Sequence, residues 1–492
     1  MGWRRSGAIA TCSMARRRCR ALAWAVALAW LALLPGCDTT PSEVVVASRQ
    51  ASAPAGRGPE LSAWYAITLQ GPWQGDMLLD AVQTSDHRPM SVNVAAYDIL
   101  ETTFYDHLLS EAAAGGAPDI AYVGTPAELA RLVQAGVLEP LNVCRAQHSA
   151  FDGILPAAWS VAAGRGETWG VPVIFNPDLL YFSKSRLRAL GWSETAIDEL
   201  PARIIAGDFT LLDLRDTAAA AVAAGVVRPG FGFMQRPSTS TRIGDYYVAF
   251  GGRVYDAEQG RLVIDEDALA AAYAFRRELP AEDIIAPFLL DGSQNNWSSR
   301  LLWNDAIGHG RALFWYGKLH DWRKWLVVAA RSGGETMPGQ PALDADDVGL
   351  APFPSAVAGQ PGTLAAHAGY FVILNEAATG RRLQDEACAL LAQAMTPAIH
   401  VAALPDSGLF STLALSPDAQ RRMLSGYPGG IELLLDNLKT WPSYIDHDVM
   451  NYETILANYA WETQRGQLTP ADAASQAVRQ LRRTLGDDLI VE

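Results

Sequence analysis

Residues 114–136 read AGGAPDIAYVGTPAELARLVQAG, and this stretch decides the fold. Ala114-Gly115-Gly116-Ala117-Pro118 stops a preceding helix, because glycine and proline both oppose helix continuation. Asp119-Ile120-Ala121-Tyr122-Val123 is short, apolar and β-favouring, so it reads as a strand. Pro126 opens a helix that runs to Gln134 and ends at Gly136, with proline at the start and glycine just past the end. The same alternation extends upstream. Tyr65–Leu69 and Ser91–Val94 read as strands, followed by helices from Gly75 to about Val82 and from Ile99 to Ala113. Short strands alternating with helices predict an α/β domain with a largely parallel sheet covered on both faces. Ligands of such sheets bind beyond the carboxyl ends of the strands. The loops gathered there are Gly71–Trp73, Ala95–Asp98 and Gly124–Pro126.

Downstream, a second region from about Phe182 to Leu313 carries helical patterns at Ala218–Ala224, Glu266–Leu279 and Arg300–Gly308. The chain then returns through strand-like Val348–Pro352 and Tyr370–Leu374 to a helix over Leu383–Met395, closed by Thr396-Pro397. The tail from Ile431 is helical and aromatic. No tandem repeat is evident.

The first 36 residues contain six arginines and no acidic group, and an uncharged run from Ala21 to Leu34. This is the basic-then-apolar order of an export signal. Leu33-Leu34-Pro35-Gly36-Cys37 resembles a bacterial lipobox, in which the cysteine is acylated and becomes the first mature residue. The expectation is a signal peptide over 1–36, lipid (palmitate) on Cys37, and a flexible tether over 37–60 rich in Ser, Ala, Pro and Gly. The protein then works outside the cytoplasm, on the outer face of the cytoplasmic membrane, the periplasmic side in a two-membraned cell. Val44-Val45-Val46 interrupts the tether and reads alternatively as an early strand.

Beyond the leader the chain carries 33 Lys+Arg against 53 Asp+Glu. Such a surface repels phosphate backbones, so nucleic acid is excluded as the expected partner. Cys144 and Cys388 either pair or stand as two buried thiols. Neither has a Cys or His neighbour at metal-ligand spacing, and the histidines are scattered, so no metal or cofactor is expected.

The order of segments resembles the extracellular solute-binding proteins of ABC importers, in the large sugar- and oligosaccharide-binding group. Four pieces carry the resemblance: Ala113–Val123; the helix edge Ala135-Gly136-Val137-Leu138-Glu139-Pro140-Leu141; Trp169-Gly170-Val171-Pro172 with Leu180-Tyr181-Phe182-Ser183-Lys184; and the return through Gly310–Phe314, Val348–Pro354 and Gly369–Pro397. Ser183 replaces the usual asparagine, and the stretch after Leu190 lacks the customary proline-rich entry to the second lobe. The resemblance implies a hinged two-lobed periplasmic-binding-protein fold of type II with mixed sheets. One lobe would take about 61–180 and 310–400, the other about 181–309 and 401–492. It implies a monomeric, non-catalytic protein that hands its solute to an ABC permease.

A cleft for a polyol needs flat rings and short polar groups. The candidates are Trp73, a cleft ring or a ring packed beneath its loop; Tyr97; Asp98, a ligand contact or helix cap; and Thr125, both cap and contact. Phe175 and Asn176 stand where the family crosses between lobes. Trp297, Asn304 and Asp305 form a polar-aromatic group beside Trp303. Trp315 is the leading cleft ring, set against a plain core tryptophan, with Tyr316 next to it. Tyr370, Trp441 and Tyr444 complete the set. The alternative class is a secreted glycoside hydrolase, which needs two facing carboxylates. Asp245, Asp305 and Asp321 stand among aromatic residues, but no short motif couples them.

Overall fold

A computed structural model describes residues 45–52, 58–66, 72–85, 90–97, 101–236, 243–289, 297–331, 343–405, 408–429, 438–440 and 444–492. Residues 45–492 form one compact unit. The expected alternation is present. Strands Glu60–Ala66, Ser91–Tyr97 and Ile120–Val123 run parallel, and helices Trp73–Gln83, Glu101–Ala114 and Pro126–Ala135 follow them in turn. Thr125 caps the last of these helices, its hydroxyl accepting from the Glu128 N–H at 3.3 Å. A cap of this kind contributes about 1 kcal/mol. The valine run that sequence left open between tether and strand is a strand. Val45–Ser52 forms an antiparallel edge on Ser91–Tyr97, so the expected tether of 37–60 is shortened from its far end.

The element that organises the rest is Val171–Ser183, thirteen residues of which all but Asn176 are buried. A strand with both faces buried reads as a near-continuous apolar run, as VPVIFNPDLLYFS does. It changes partners midway. Val171 to Pro177 pair antiparallel with the strand Leu364–Ile373, which in turn pairs with Ile120–Val123. Asp178 to Phe182 pair with Phe314–Lys318, and Leu180 to Ser183 also pair with Val348–Ala351. Phe314–Lys318 is joined on its other side by Phe233–Gln235, in parallel. Two half-sheets therefore share one continuous strand, with the step between Pro177 and Asp178.

Strand partnership moves two expected boundaries. Phe314–Lys318 and Val348–Ala351 were expected in the first lobe as part of 310–400. They instead pair with the Asp178–Ser183 half and so belong to the second. Conversely, 401–440 was expected in the second lobe. Phe410–Ser411 pair with Ile174–Phe175, Leu438–Thr440 pair with Leu364–Ala366, and helix Pro397–Ala403 packs on helix Trp73–Gln83. All three lie with the first half. The terminal helices Val449–Gln464 and Pro470–Leu485 pack on Glu266–Ala281.

Cys144 and Cys388 form a disulfide, with Cα atoms 5.8 Å apart. The choice sequence left open is thus settled by helix Gln384–Ala394 lying against helix Asn142–Gln147. In the second half an aromatic core surrounds Tyr181. Its ring is parallel to Trp315 at 5.5 Å and to Trp322 at 6.5 Å, and edge-on to Trp325 at 5.1 Å. Offset and edge-to-face pairs of this kind add about 0.5–1.5 kcal/mol each beyond area burial.

Candidate functional site

Strand direction locates the site. In the first half the carboxyl ends of the three parallel strands come level with Val123, which pairs with Tyr370, itself opposite Pro172. In the second half Phe314–Lys318 runs antiparallel to the shared strand and ends at Lys318, opposite Asp178. Both sets of carboxyl ends therefore aim at the stretch Pro172–Asp178 from opposite sides. The offset between those two levels is about 20 Å of extended chain. The stretch of the shared strand between the two sets of strand ends, taken below as the candidate groove with the two halves as its banks, is where ligands of open α/β sheets are expected.

On the first bank, helix Trp73–Gln83 starts after the first parallel strand, with no side-chain cap at its N-terminus. Trp73 is buried and packs edge-on to Tyr122 at 5.1 Å, so its ring lies beneath the loop. Among the described residues its Nε1–H has no hydrogen-bond partner. Gln74 is fully buried, and neither amide atom of its side chain has a partner among the described residues. Sequence reading missed Gln74 because a polar residue in a first helical turn looks like a solvated one. Thr125 keeps its capping role at the neighbouring strand end. At Gly369 an added Cβ would come within 2.1 Å of the Tyr122 hydroxyl, so the space beside this backbone is filled by protein.

On the second bank a polar network lies behind the step. The Asn176 amide is 2.8 Å from Nδ1 of His320, whose Nε2 is 3.3 Å from Asp321 Oδ1. Lys324 Nζ approaches the same Asp321 oxygen at 2.7 Å, and Arg236 Nη1 lies 3.8 Å from Oδ2. Burial pushes His320 down to about 4, against the pull of Asp321. Burial would raise Asp321, but Arg236, His320 and Lys324 together hold it well below the usual carboxylate range. A carboxyl kept ionised is in the wrong state for a general acid. The other two carboxylates considered for hydrolysis are engaged elsewhere. Asp245 accepts from the Tyr316 hydroxyl at 3.1 Å, and Asp305 pairs with Arg311 at 3.0 Å and His309 at 3.2 Å.

Asn176 is half-buried beside the step and Thr125 caps the helix after the third parallel strand, whereas most of the expected rings are packed against other side chains. Trp315 is a core tryptophan, covered by Tyr181 on its face and by Trp325 edge-on. Phe175 is buried in the shared strand, and Tyr97 packs against Trp64, Phe104 and His107. Trp303 is buried against Trp325, and Asn304 Oδ1 accepts from Trp325 Nε1 at 3.0 Å. Tyr316 and Tyr370 are fully buried; the Tyr370 hydroxyl donates to the Val161 carbonyl at 3.4 Å. Tyr444 is buried, and its hydroxyl donates to Glu453 Oε1 at 2.9 Å. Asp98, Trp441 and Cys37 lie outside the described residues, as does the side chain of Trp297. Among the described residues there is no cluster of three or more His, Cys, Asp or Glu able to hold a metal. No described helix is long and apolar enough to cross a membrane.

No family model matches the chain. None of the curated proteins matches it either. Solved structures do. The maltose-bound MalE3 of T. maritima superposes with a TM-score of 0.64 at 18% identity, covering 87% of this chain and 100% of that one. The GacH receptor of Streptomyces glaucescens, solved unliganded and with acarbose, gives 0.64 at 17% identity, covering 87% and 99%. An ABC transporter solute-binding protein from Thermotoga lettingae, bound to α-D-tagatose, gives 0.64 at 15% identity, covering 87% and 100%. The chain has the two-lobed α/β periplasmic-binding-protein fold of type II. The shared strand Val171–Ser183 and its antiparallel partner Leu364–Ile373 are, in that fold, crossover segments between lobes.

The titrations at the site have a definite sign. Glu453 is raised to about 7 by burial, partly offset by the Tyr444 hydroxyl. The unfolded chain ionises this group near 4.3, so stability is lost as pH rises from there toward 7. His320, at about 4, and His400, lowered by burial to about 3, act oppositely, costing stability as pH falls below about 6.5. Glu453→Gln keeps an acceptor for Tyr444 and removes the ionisation. Its melting midpoint is expected to exceed that of the parent at pH 8 and to converge with it near pH 4. A pH-independent difference would show that the carboxyl is not held protonated.

Proposed function

We propose that this chain is the substrate-binding lipoprotein of an ABC importer, which captures a sugar or oligosaccharide between its lobes and delivers it to a membrane permease. Acylation of Cys37 would hold it on the outer face of the cytoplasmic membrane as a monomer, and the transport energy would come from the permease's nucleotide-binding subunits. The observation that carries the reading is the pair of unpartnered groups on the first bank of the groove. A buried side-chain amide without partners costs about 1–3 kcal/mol per group, and such a cost persists where a ligand meets it. A primary amide donates and accepts at once, as a sugar hydroxyl does, and the Trp73 N–H adds a second donor. The similar structures support the same class of solute: maltose, acarbose and tagatose occupy those proteins. The protein would bind without turning its ligand over, since Asp321 is held ionised and Asp245 and Asp305 are engaged by other side chains.

The test is a thermal-shift screen with maltose, maltotriose, cellobiose, xylobiose and tagatose, followed by calorimetry on any that stabilise. A ligand at 100 times its Kd adds about 2.7 kcal/mol to folded stability. Gln74→Leu conserves volume while deleting both amide groups. It is expected to weaken binding by about tenfold or more while leaving the ligand-free protein as stable or more so. Affinity unchanged in this variant would remove Gln74 from the site, and absence of any stabilising saccharide would remove carbohydrate as the solute. Anchorage is read separately: metabolically supplied palmitate should label the protein, and Cys37→Ser should abolish the label. Labelling that survives the substitution would refute acylation at this cysteine.

A further inference from the structure

Several side-chain contacts bridge the two halves near the step in the shared strand, and the one made by the step's own open residue is the Asn176–His320 pair; Trp322 Nε1 and Arg323 Nη2 donate to the Gly426 and Pro405 carbonyls beside it. Asn176 is the one residue of Val171–Ser183 that is not buried, and it precedes the peptide at which the strand exchanges one lobe's partner for the other's. His320 comes from the second lobe, two residues past the end of Phe314–Lys318. The Leu319 N–H donates to the Pro177 carbonyl at 3.0 Å, which brings the turn against the step. Gly408, at φ +72, backs the histidine; a Cβ there would lie 2.8 Å from the His320 Cα and 2.4 Å from the Tyr427 hydroxyl. The imidazole is therefore wedged in place.

The surroundings select one tautomer. Asp321 is ionised and only accepts, so Nε2 of His320 carries the proton toward it at 3.3 Å. Nδ1 is then an acceptor; both amide atoms of Asn176 lie near it, Nδ2 at 2.8 Å and Oδ1 at 3.0 Å, and with that tautomer only the Nδ2–H₂ can donate to it. Asp321 opens helix Asp321–Arg331 and is fixed by Lys324 from that helix and Arg236 from the end of Phe233–Gln235. The charged groups facing the histidine are thus Asp321, Lys324 and Arg236, with Asp178 and His367 as a second pair 3.9 Å apart across the same step.

We infer that Asn176 and His320 are a positioning pair that sets the angle between the two lobes, with Asp321 fixing the tautomer that lets the pair form. The bond sits at the pivot, where a small change of direction is multiplied into a large displacement at the lobe tips. A hydrogen bond of ordinary strength shifts a two-state population about fivefold, so its loss moves the lobe equilibrium without unfolding either lobe. This rests on the two-lobed reading but on no choice of solute.

The test uses the full-length protein without saccharide. Spin labels are placed on non-canonical residues at exposed Gln83 in the first lobe and exposed Arg277 in the second, so that the native cysteines stay untouched. Dipolar spectroscopy then gives the interlobe distance. The parent should show one distance that does not change between pH 5.5 and 8. Asn176→Ala should reduce the population at that distance about fivefold. Asn176→Asp turns the pair into carboxylate and imidazolium, so it should recover the parent distance at pH 5.5 and lose it at pH 8, where a neutral Nδ1 faces a carboxylate. Unfolding midpoints of both variants verify that the lobes are intact. The parent distance retained by both variants at every pH overturns the inference. So does a shift in Asn176→Ala without pH reversal in Asn176→Asp, because packing at position 176 would then explain it. A failed sugar screen would leave this result standing, and failure here would leave the sugar reading intact.

Discussion

One strand that belongs to two sheets is the constraint on which the structure depends. Val171–Ser183 pairs with Leu364–Ile373 up to Pro177 and with Phe314–Lys318 from Asp178 onward. Backbone hydrogen bonds bind the strand into both halves, since a buried ladder cannot leave its N–H and C=O groups unpaired. The halves can therefore reorient only by changing dihedral angles near the step. Everything functional follows from that geometry. The parallel strands of both halves end toward the step, and Asn176 is the residue of the shared strand left partly exposed there.

The two banks differ in kind. The first presents neutral hydrogen-bonding groups without partners, at Trp73 and Gln74. The second presents a charged network in which Asp321 Oδ1 is met by Lys324 and His320, while Arg236 lies 3.8 Å from Oδ2, which has no hydrogen-bond partner among the described residues. An unsatisfied amide is suited to a ligand that arrives and leaves, because it trades hydrogen bonds with water or solute. A tied carboxylate is suited to holding a turn in one conformation, since freeing a buried charge costs several kcal/mol. Capture and positioning are in this way assigned to different sides of the groove.

Much of the fold was legible because its signals are local. Pro126, Gly136 and the capping Thr125 mark one helix within twelve residues, and Ala114–Pro118 ends another. Asn176 was singled out through resemblance, and in the structure it is the half-buried residue beside the change of partners in Val171–Ser183. What failed was whatever depends on residues far apart in sequence. Trp315 reads as a cleft ring until Tyr181 and Trp325 are seen to cover it. The Cys144–Cys388 bridge spans 244 residues, and spacing alone leaves it undecided. The lobe boundaries failed for the same reason: sequence shows that Phe314–Lys318 is a strand, whereas only its pairing shows to which sheet it belongs. Gln74 was invisible for a different reason. Its interest lies in the partners it lacks, and an absence has no sequence pattern.

Capture by closure around the Asn176–Asp178 step is most directly tested by small-angle scattering of the full-length protein, alone and saturated with a saccharide that raises its melting midpoint. Two lobes swinging on a shared strand predict a smaller radius of gyration in the bound state and a narrower distribution of interatomic distances. Dimensions that stay the same at saturation, with tight binding shown by calorimetry on the same sample, would contradict it.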